Sequence, residues 1–396
     1  MSALKVSAKM VVSAISRLLL ALPSLFLHIY GYKIVKIKSG RIGHLLAETN
    51  SVVRDPALNG SKIIFFVKKG DIANPAYLNL FKSKYEHRFV EVPPLLLKII
   101  FFPKFVSINV EQYVTLDNAV NKVYQINATM PGGFSKSDLP ADTKADLRQF
   151  LSNSGVLDTN KLVLLHMRAA YFAPEEEGEH GGRTVALEEY RKGIEYLCEA
   201  GFSVVRMGDP NQVISIDHAG YVDYASSEYH SDALDLALAA TCYFMIACSS
   251  GPVHLAVLFN RPVLGVNLSL PFVFSPTGRS CEIGMPKLMV RDGTGEILPL
   301  TEIYANDYHM IRTSAQLRKN DLRLLNNSED ELLEAIQEMI ASLENGFENK
   351  DEYLDLSMLI KQQNNSVAVD SGSLSKPSIT FFERYRQDLI EVSYID

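Results

Sequence analysis

The sequence predicts an α/β protein with two doubly wound, Rossmann-like domains. Apolar runs with the character of strands alternate with helix-like segments, as in KIVKIKSGRIGHLLAETNSVVRD near the start and FMIACSSGPVHLAVLFNRPVLGVN further on. This alternation is typical of parallel sheets. The chain has 396 residues, which is too long for one ordinary core. Because such sheets bind ligands beyond the carboxyl ends of their strands, we expect two domains that face each other across a cleft.

Turn-rich segments divide the chain. The stretch between residues 128 and 160 is rich in Gly, Pro, Ser and Asp, and we place the domain junction there. The polar stretch KQQNNSVAVDSGSLSKPS precedes ITFFERYRQDLI, whose paired Phe residues indicate a returning helix. We therefore expect an apolar N-terminal helix in residues 1–30, domains in residues 31–150 and 151–345, and a tail with a returning helix in residues 346–396.

Composition excludes some functions. Apolar residues make up 47% of the chain, charged residues 21%, and the net charge is −7. These values are normal for a globular protein, and no basic recognition helix is present, so we expect no nucleic-acid partner. The four cysteines form no CxxC pair and lie in or beside apolar segments: Cys198, Cys242, Cys248 and Cys281. We expect buried free thiols in a reducing compartment, such as the cytoplasm, and no metal site.

The first forty residues have a distinct charge pattern. No acidic residue precedes Glu48, while seven basic residues do. The apolar segment MVVSAISRLLLALPSLFLHIY is interrupted by polar residues and Pro23, so it contains no clean run long enough to span a bilayer. Two interpretations remain open. The segment lies in a membrane interface, drawn to anionic lipid, or it packs on the core of the protein itself.

Two strand ends carry residues suited to a phosphate group. In SSGPVH, Ser249 and Ser250 offer hydroxyls, Gly251 permits a tight turn, and His254 lies in the first turn of the next helix. Such a turn before a helix favours anions, although a plain tight turn with a buried His254 is the alternative. In HMRAAYF, Arg168 follows a buried strand, and its planar fork of donors fits a diphosphate. Alternatively, Arg168 forms a salt bridge with a nearby glutamate, and His166 is a structural residue at the end of the strand.

Two further loops are candidates. The segment PEEEGEHGGRT has glycines that would let it move as a lid, with Arg183 reaching the ligand, although a solvated surface loop is equally consistent. In RMGDP, Asp209 follows another strand, where it either contacts a ribose or base or caps the next turn.

The N-terminal half has a candidate site in GRIGHLLAET. Gly40, Arg41 and Gly43 follow a basic strand, and glycines at the start of a helix let another molecule approach the backbone. The spacing is neither GxGxxG nor a P-loop. Glu48 lies one helical turn after His44, so either side chain could act as a general base.

Taken in order, these motifs resemble a family. SGRIGHL, HMRAAYF, GGRT, VVRMGDP, VDYASSEYHSDALDL and SSGPVH, spread over residues 33–345, are similar to segments of bacterial glycosyltransferases from surface-polysaccharide gene clusters. Those proteins are related to the O-fucosyltransferase-like and heptosyltransferase groups and have the GT-B fold. The resemblance implies that Arg168 binds the donor diphosphate, as does the turn formed by Ser250, Gly251 and His254. Tyr171 and Thr184 depart from the fucosyltransferase pattern, so the resemblance does not name the sugar.

The resemblance implies a metal-independent glycosyltransferase without a cofactor. Its partners would be a nucleotide sugar, bound by the C-terminal domain, and a glycan or lipid-linked glycan acceptor, bound by the N-terminal domain. We expect it in the cytoplasm, at the inner face of the membrane. Two alternatives stay open: a nucleotide-sugar 2-epimerase, whose carboxylates the EEEGEH loop would supply, and a non-catalytic subunit of glycan assembly.

Overall fold

The computed structural model describes residues 3–114, 122–168, 181–269, 276–311, 313–347 and 374–390. The chain forms two compact units, Met1–Thr115 and Leu116–Asp396. The Glu-rich part of the expected lid, residues 175–180, lies outside the described residues, and so does Tyr171.

The first unit contains a four-stranded parallel sheet in the order β3-β2-β1-β4. Its strands are β1 (Tyr32–Lys36), β2 (Lys62–Lys68), β3 (Arg88–Val92) and β4 (Ser107–Ile108). Its helices are α1 (Ala3–Leu19), α2 (Ala21–Ile29), α3 (Ile42–Arg54), α4 (Pro75–Lys84), α5 (Pro94–Ile99) and α6 (Glu111–Val114). The strand order reverses beside β1, so the turn after β1 opens at the point where such sheets bind ligands.

Local sequence explains these elements. In β2, alternate residues Ile63, Phe65 and Val67 are buried, as expected for a pleated strand. Helix α4 begins where Asn74 accepts a hydrogen bond from the Tyr77 amide at 2.7 Å, with proline in the first helical position.

The N-terminal segment forms two helices rather than the single one expected for residues 1–30. No single helix in the described part of the chain is long and apolar enough to cross a membrane. The segments Met10–Leu19 and Ala21–Ile29 are long and apolar enough only when taken together, and they are bent by 56° at the break between them.

The second unit contains a seven-stranded sheet in the order β13-β10-β9-β8-β5-β6-β7, parallel throughout. Its strands are β5 (Leu162–His166), β6 (Ser203–Met207), β7 (Tyr221–Val222), β8 (Phe244–Ala247), β9 (Val263–Leu268), β10 (Glu282–Pro286) and β13 (Lys376–Pro377). A separate antiparallel pair consists of β11 (Leu288–Arg291) and β12 (Leu322–Leu325). The helices are α7 (Lys122–Thr129), α8 (Ala141–Asn153), α9 (Arg191–Glu199), α10 (Asp232–Thr241), α11 (Val253–Leu258), α12 (Leu300–Ala305), α13 (Ser314–Lys319), α14 (Glu329–Asn345) and α15 (Ile379–Leu389).

The predicted fold class is confirmed. In the second unit, the six strands from β7 to β10 follow the order 3-2-1-4-5-6 of the Rossmann fold. The four strands of the first unit follow the first part of that order, 3-2-1-4. The predicted free thiols are also confirmed: Cys198, Cys242 and Cys248 are buried and Cys281 is half-buried, all unbridged.

The boundary between the units lies earlier than predicted. Residues 116–150, which we assigned to the N-terminal domain, belong to the second unit. The reason is the packing of α8, since the Phe150 ring lies 5.3 Å from the ring of Tyr224 and 5.6 Å from that of Tyr229. Asn153 also donates a hydrogen bond to the Tyr229 hydroxyl at 2.6 Å. A turn-rich sequence therefore marks a connection inside this unit and not its edge.

The C-terminal segment is part of the second unit rather than a separate tail. The returning helix is confirmed as α15, in which Phe381 and Phe382 are buried. Just before it, β13 pairs with β10 and extends the sheet by one strand. Ser378 caps α15 and donates to Glu338 of α14 at 2.8 Å.

Candidate functional site

The two predicted phosphate-binding segments meet at one point of the second sheet. Strands β5 and β8 are neighbours, with His166 paired to Ala247, and the strand order reverses between them. Beyond the strands, the amide of Cys248 donates to the carbonyl of His166 at 3.4 Å. The amide of Arg168 then donates to the Cys248 sulfur at 3.2 Å. The Arg-bearing strand end and the SSGPVH turn therefore lie side by side, where doubly wound sheets bind their ligands.

Arg168 also anchors the loop that carries Arg183. The carbonyl of Arg168 accepts a hydrogen bond from the Val185 amide at 3.4 Å. Both arginines are half-buried, and Arg183 ends a short 3-10 turn. Arg183 and Ser269 line a cavity of about 20 Å³, large enough for a water molecule. Two guanidinium groups thus belong to segments that converge on the end of β5.

The SSGPVH turn keeps the Ser249 hydroxyl as a donor, but its glycine and its helix differ from the expectation. Ser249 accepts a hydrogen bond from the Ser269 amide at 3.1 Å, so its hydroxyl proton remains available to donate elsewhere. Gly251 does not have a positive φ, so the turn does not need glycine for that reason. The helix that follows, which contains His254, has six residues, and its dipole is correspondingly weak. Hydroxyl and backbone donors, more than the helix itself, would hold an anion here.

His166 is buried at the end of β5. Its ring lies against Gly208, since a Cβ atom added there would be 3.1 Å from His166 Cδ2. Burial lowers the pKa of His166 to about 4, and the nearby Arg206 and Arg168 lower it as well. The Nδ1 atom is buried without a hydrogen-bond partner. The ring is therefore neutral at physiological pH, and the structure matches the structural alternative more closely than a direct contact with a donor.

Asp209 is engaged in its own turn. Its carboxylate accepts hydrogen bonds from the amide and side-chain nitrogens of Asn211, at 2.8 and 2.9 Å. Its carbonyl accepts one from Arg206 at 2.8 Å. These contacts are those of a turn cap, the alternative interpretation of this residue.

Sequence reasoning missed several buried polar groups near these strand ends. Arg206 is only 1% exposed and forms an ion pair with Asp223. Lys287 follows β10, donates to the Thr184 carbonyl at 2.9 Å, and has its pKa lowered by burial to about 8. Asn267 accepts a hydrogen bond from the Asn327 amide at 2.7 Å. A polar residue directly after an apolar run was the available signal for Asn267 and Lys287.

The first unit brings His44 and Glu48 together. His44 Nδ1 lies 2.7 Å from Glu48 Oε1, and the Glu48 side chain is 2% exposed. The other carboxylate oxygen accepts from the Lys38 amide at 3.3 Å. In the tautomer that donates its Nδ1 proton to the Glu48 carboxylate, Nε2 is the ring nitrogen that can accept a proton. His44 is a quarter exposed, so a partly accessible imidazole is held here by a buried carboxylate.

The glycine-bearing turn beside this pair is built for an internal contact. A Cβ atom at Gly40 would lie 2.2 Å from Asp71 Oδ1, so the residue makes room for that carboxylate. Asp71 is itself paired with Lys68 at 2.6 Å. Arg41 is exposed and precedes α3 without capping it through its side chain, and Gly43 lies within the first turn of α3. Among the residues that the structure describes, no group of His, Cys, Asp or Glu side chains is arranged to hold a metal ion.

No family model matches the chain, and no curated protein matches it. Among solved structures, the glycosyl transferase family 9 protein from Veillonella parvula is 15% identical, with a TM-score of 0.46 over 78% of this chain and 97% of that one. E. coli ADP-heptose lps heptosyltransferase II is 14% identical, with a TM-score of 0.41 over 79% and 99%. An E. coli heptosyltransferase solved with ADP is 12% identical, with a TM-score of 0.36 over 59% and 87%. The chain is thus distantly similar to glycosyltransferases of the heptosyltransferase group, the similarity that its motifs predict.

Proposed function

We propose that this protein is a glycosyltransferase that moves a sugar from a nucleoside-diphosphate donor to a glycan acceptor. One observation carries the proposal. The strand end with Arg168 and the turn with Ser249 and Ser250 meet where the order of the sheet reverses. A guanidinium fork and hydroxyl groups at that position suit a diphosphate.

The chemistry requires charge stabilisation and a base. The bond between the anomeric carbon and the diphosphate oxygen breaks, and the electron pair remains on the diphosphate. Arg168 and the serine hydroxyls would stabilise this developing charge, a role that in other enzymes a metal ion takes. An acceptor hydroxyl forms the new bond to the anomeric carbon and gives up its proton. We assign that proton to Nε2 of His44, with Glu48 orienting the ring. We propose that the transfer needs neither a metal nor a cofactor.

The proposed acceptor is a glycan or lipid-linked glycan of a bacterial surface polysaccharide. We place the reaction in the cytoplasm, at the inner face of the membrane. The free cysteines are consistent with a reducing compartment. The basic, apolar N-terminal segment is consistent with a lipid-linked acceptor.

The test is a thermal-shift screen with free ADP, GDP, UDP, CDP and CMP. A ligand at a hundred times its dissociation constant adds about 2.7 kcal/mol to the free energy of unfolding. We expect one diphosphate to stabilise the wild type, and Arg168→Ala to lose most of that shift. Arg148→Ala, which removes an exposed arginine from α8, is the control and should keep the shift.

The outcomes separate the candidate functions. Absence of stabilisation by any nucleotide would contradict the proposal and favour a non-catalytic role. Equal stabilisation of wild type and Arg168→Ala would contradict the assigned site. Once a nucleotide is identified, the corresponding nucleotide sugar can be tested as a donor. Release of the nucleotide only when acceptor is present would indicate transfer and exclude epimerisation. Retention of this activity in EDTA tests metal independence.

A further inference from the structure

The N-terminal helices expose their apolar side chains and turn their serines inward. Ser24 of α2 is fully buried, whereas Leu18 of α1 and Leu22 of α2 are each 78% exposed. Ser13 and Ser16 are also less exposed than the leucines around them. A helix on the surface of a protein in water has the opposite arrangement, with its apolar stripe towards the core. The two helices are therefore arranged for a surrounding that is itself apolar.

A second apolar segment lies beside these helices. The hydroxyl of Ser16 accepts a hydrogen bond from the Phe101 amide at 2.7 Å and donates to the Phe101 carbonyl at 3.3 Å. Further along, the ring of His28 meets that of Phe105 edge-on, with their centres 5.5 Å apart. The segment that contains α5 and the loop up to Phe105 is thus held against both α1 and α2.

Lys36 holds the C-terminal end of α5 in place. Its ammonium group donates to the carbonyls of Leu97, at 2.9 Å, and Ile100, and lies 4.8 Å from the centre of the Phe101 ring. These carbonyls belong to the last turn of α5 and the residue after it, where a cation stabilises a helix. Held in this way, α5 directs Leu95 outward, and that side chain is 73% exposed.

Exposed apolar residues are concentrated in these two segments. Of the large apolar side chains that are exposed among the described residues, eleven lie in residues 10–30 and four in residues 95–105, against three in the whole second unit. A patch of this kind marks an interaction site.

The charges around the patch identify the partner. Residues 1–47 and residues 92–110 contain nine basic residues and no acidic one, although the chain as a whole carries a net charge of −7. Arg17, Lys98 and Lys104 are exposed beside the apolar side chains. Apolar side chains bordered by cations match the boundary between the acyl chains and the anionic headgroups of a membrane.

We propose that α1, α2, α5 and the loop from Ile100 to Phe105 form one surface that docks on an anionic lipid bilayer. The apolar side chains enter the boundary between headgroups and acyl chains, and the three cations contact lipid phosphates. The N-terminal helices are one half of this surface, and α5 is the other. This surface deepens the membrane placement proposed above, but it includes no residue of the nucleotide site, so membrane docking and sugar transfer can fail separately.

The test is flotation of the full-length protein with lipid vesicles. One set consists of phosphatidylcholine, and the other contains phosphatidylglycerol as well. We expect the wild type to float with the second set and much less with the first. Leu95→Ser/Leu96→Ser should weaken binding by about tenfold or more, because two apolar side chains no longer enter the bilayer. Leu157→Ser, at a 96% exposed leucine of the second unit, is the matched control and should bind like the wild type.

A charge variant tests the same surface in another way. Lys98→Glu/Lys104→Glu keeps the apolar side chains and should selectively reduce flotation with phosphatidylglycerol. All variants are at exposed positions, and an unchanged melting temperature shows that they fold. Wild-type binding by both double variants would overturn the composite surface and leave α1 and α2 as the sole contact. Absence of vesicle binding, with a dimer that Leu95→Ser/Leu96→Ser dissociates, would show instead an interface between two copies of this chain.

Discussion

The amide nitrogen of Arg168 lies 3.2 Å from the sulfur of Cys248, across the point where the strand order of the second sheet reverses. This contact joins two segments that are 80 positions apart in the sequence. It fixes the backbone position of Arg168, which carries the guanidinium group. It also fixes Cys248, the residue directly before Ser249 in the turn. Cys248 is itself buried, which raises the pKa of its thiol and keeps it as a neutral acceptor.

Replacing this acceptor should affect nucleotide binding from a distance. Cys248→Ala leaves the Arg168 amide without its partner, at a cost of about 1 kcal/mol or more. We expect a several-fold weaker affinity for the nucleotide that the screen identifies, measured by calorimetric titration. Cys242→Ala removes another buried thiol, away from Arg168, and should lower stability but not affinity. Equal affinity in both variants would contradict a positioning role for Cys248.

The pairing of His44 with Glu48 predicts unequal effects on catalysis. His44→Ala removes the proposed base and should lower kcat by about 10²–10⁴-fold. Glu48→Gln keeps a hydrogen-bond acceptor of the same shape and should cost less. The measurement is release of the nucleoside diphosphate from its sugar in the presence of acceptor. A larger loss in Glu48→Gln than in His44→Ala would assign the base to Glu48 instead.

Burial of His166 predicts a loss of stability in mild acid. Its folded pKa of about 4 lies below the ordinary value of 6.5, so the unfolded chain binds the proton first as pH falls. The contribution of this histidine to the free energy of unfolding is therefore highest above pH 6.5 and falls as pH drops from 6.5 towards 4. Between pH 7 and pH 5 the contribution of this histidine is about 2 kcal/mol.

Urea unfolding at the two pH values measures this contribution. His166→Gln removes the titrating ring and should shrink the difference between pH 7 and pH 5 by about 2 kcal/mol. The control is His218→Gln, which removes an exposed ring and so tests the loss of a histidine as such. An unchanged pH dependence in His166→Gln would show that the ring takes up its proton as readily in the folded chain as in the unfolded one.

The ion pair of Arg206 with Asp223 should matter more for stability than the pairs on the surface. Asp223→Ala leaves a buried guanidinium uncompensated, which typically costs about 3–5 kcal/mol. Arg206→Met/Asp223→Leu removes both charges and should cost less than the single change. Asp292→Ala, which breaks an exposed pair with Arg323 at 3.3 Å, should cost about 1 kcal/mol or less. The free energy of unfolding is measured with urea. If Asp223→Ala and Asp292→Ala lower it equally, the buried pair stabilises the fold no more than the exposed one.

Much of the candidate site follows from the sequence. Arg168 and Ser249 each directly follow an apolar strand, and the alternation of strands and helices places such residues at one edge of a parallel sheet. Their neighbours were not predictable. Cys248 and Lys287 have roles that depend on which backbone groups lie opposite them, and those groups belong to segments far away in the sequence.

The sequence by itself determined the alternation of strands and helices, the cap of α4 at Asn74 and the helix that carries the paired Phe residues. These features depend on the period of the apolar residues and on contacts within one or two turns. Tertiary structure alone decided where the units divide, that Lys376–Pro377 completes a sheet, and that α1 and α2 expose their leucines. Each of these depends on which distant segment occupies the neighbouring space, and no local pattern of residues specifies that.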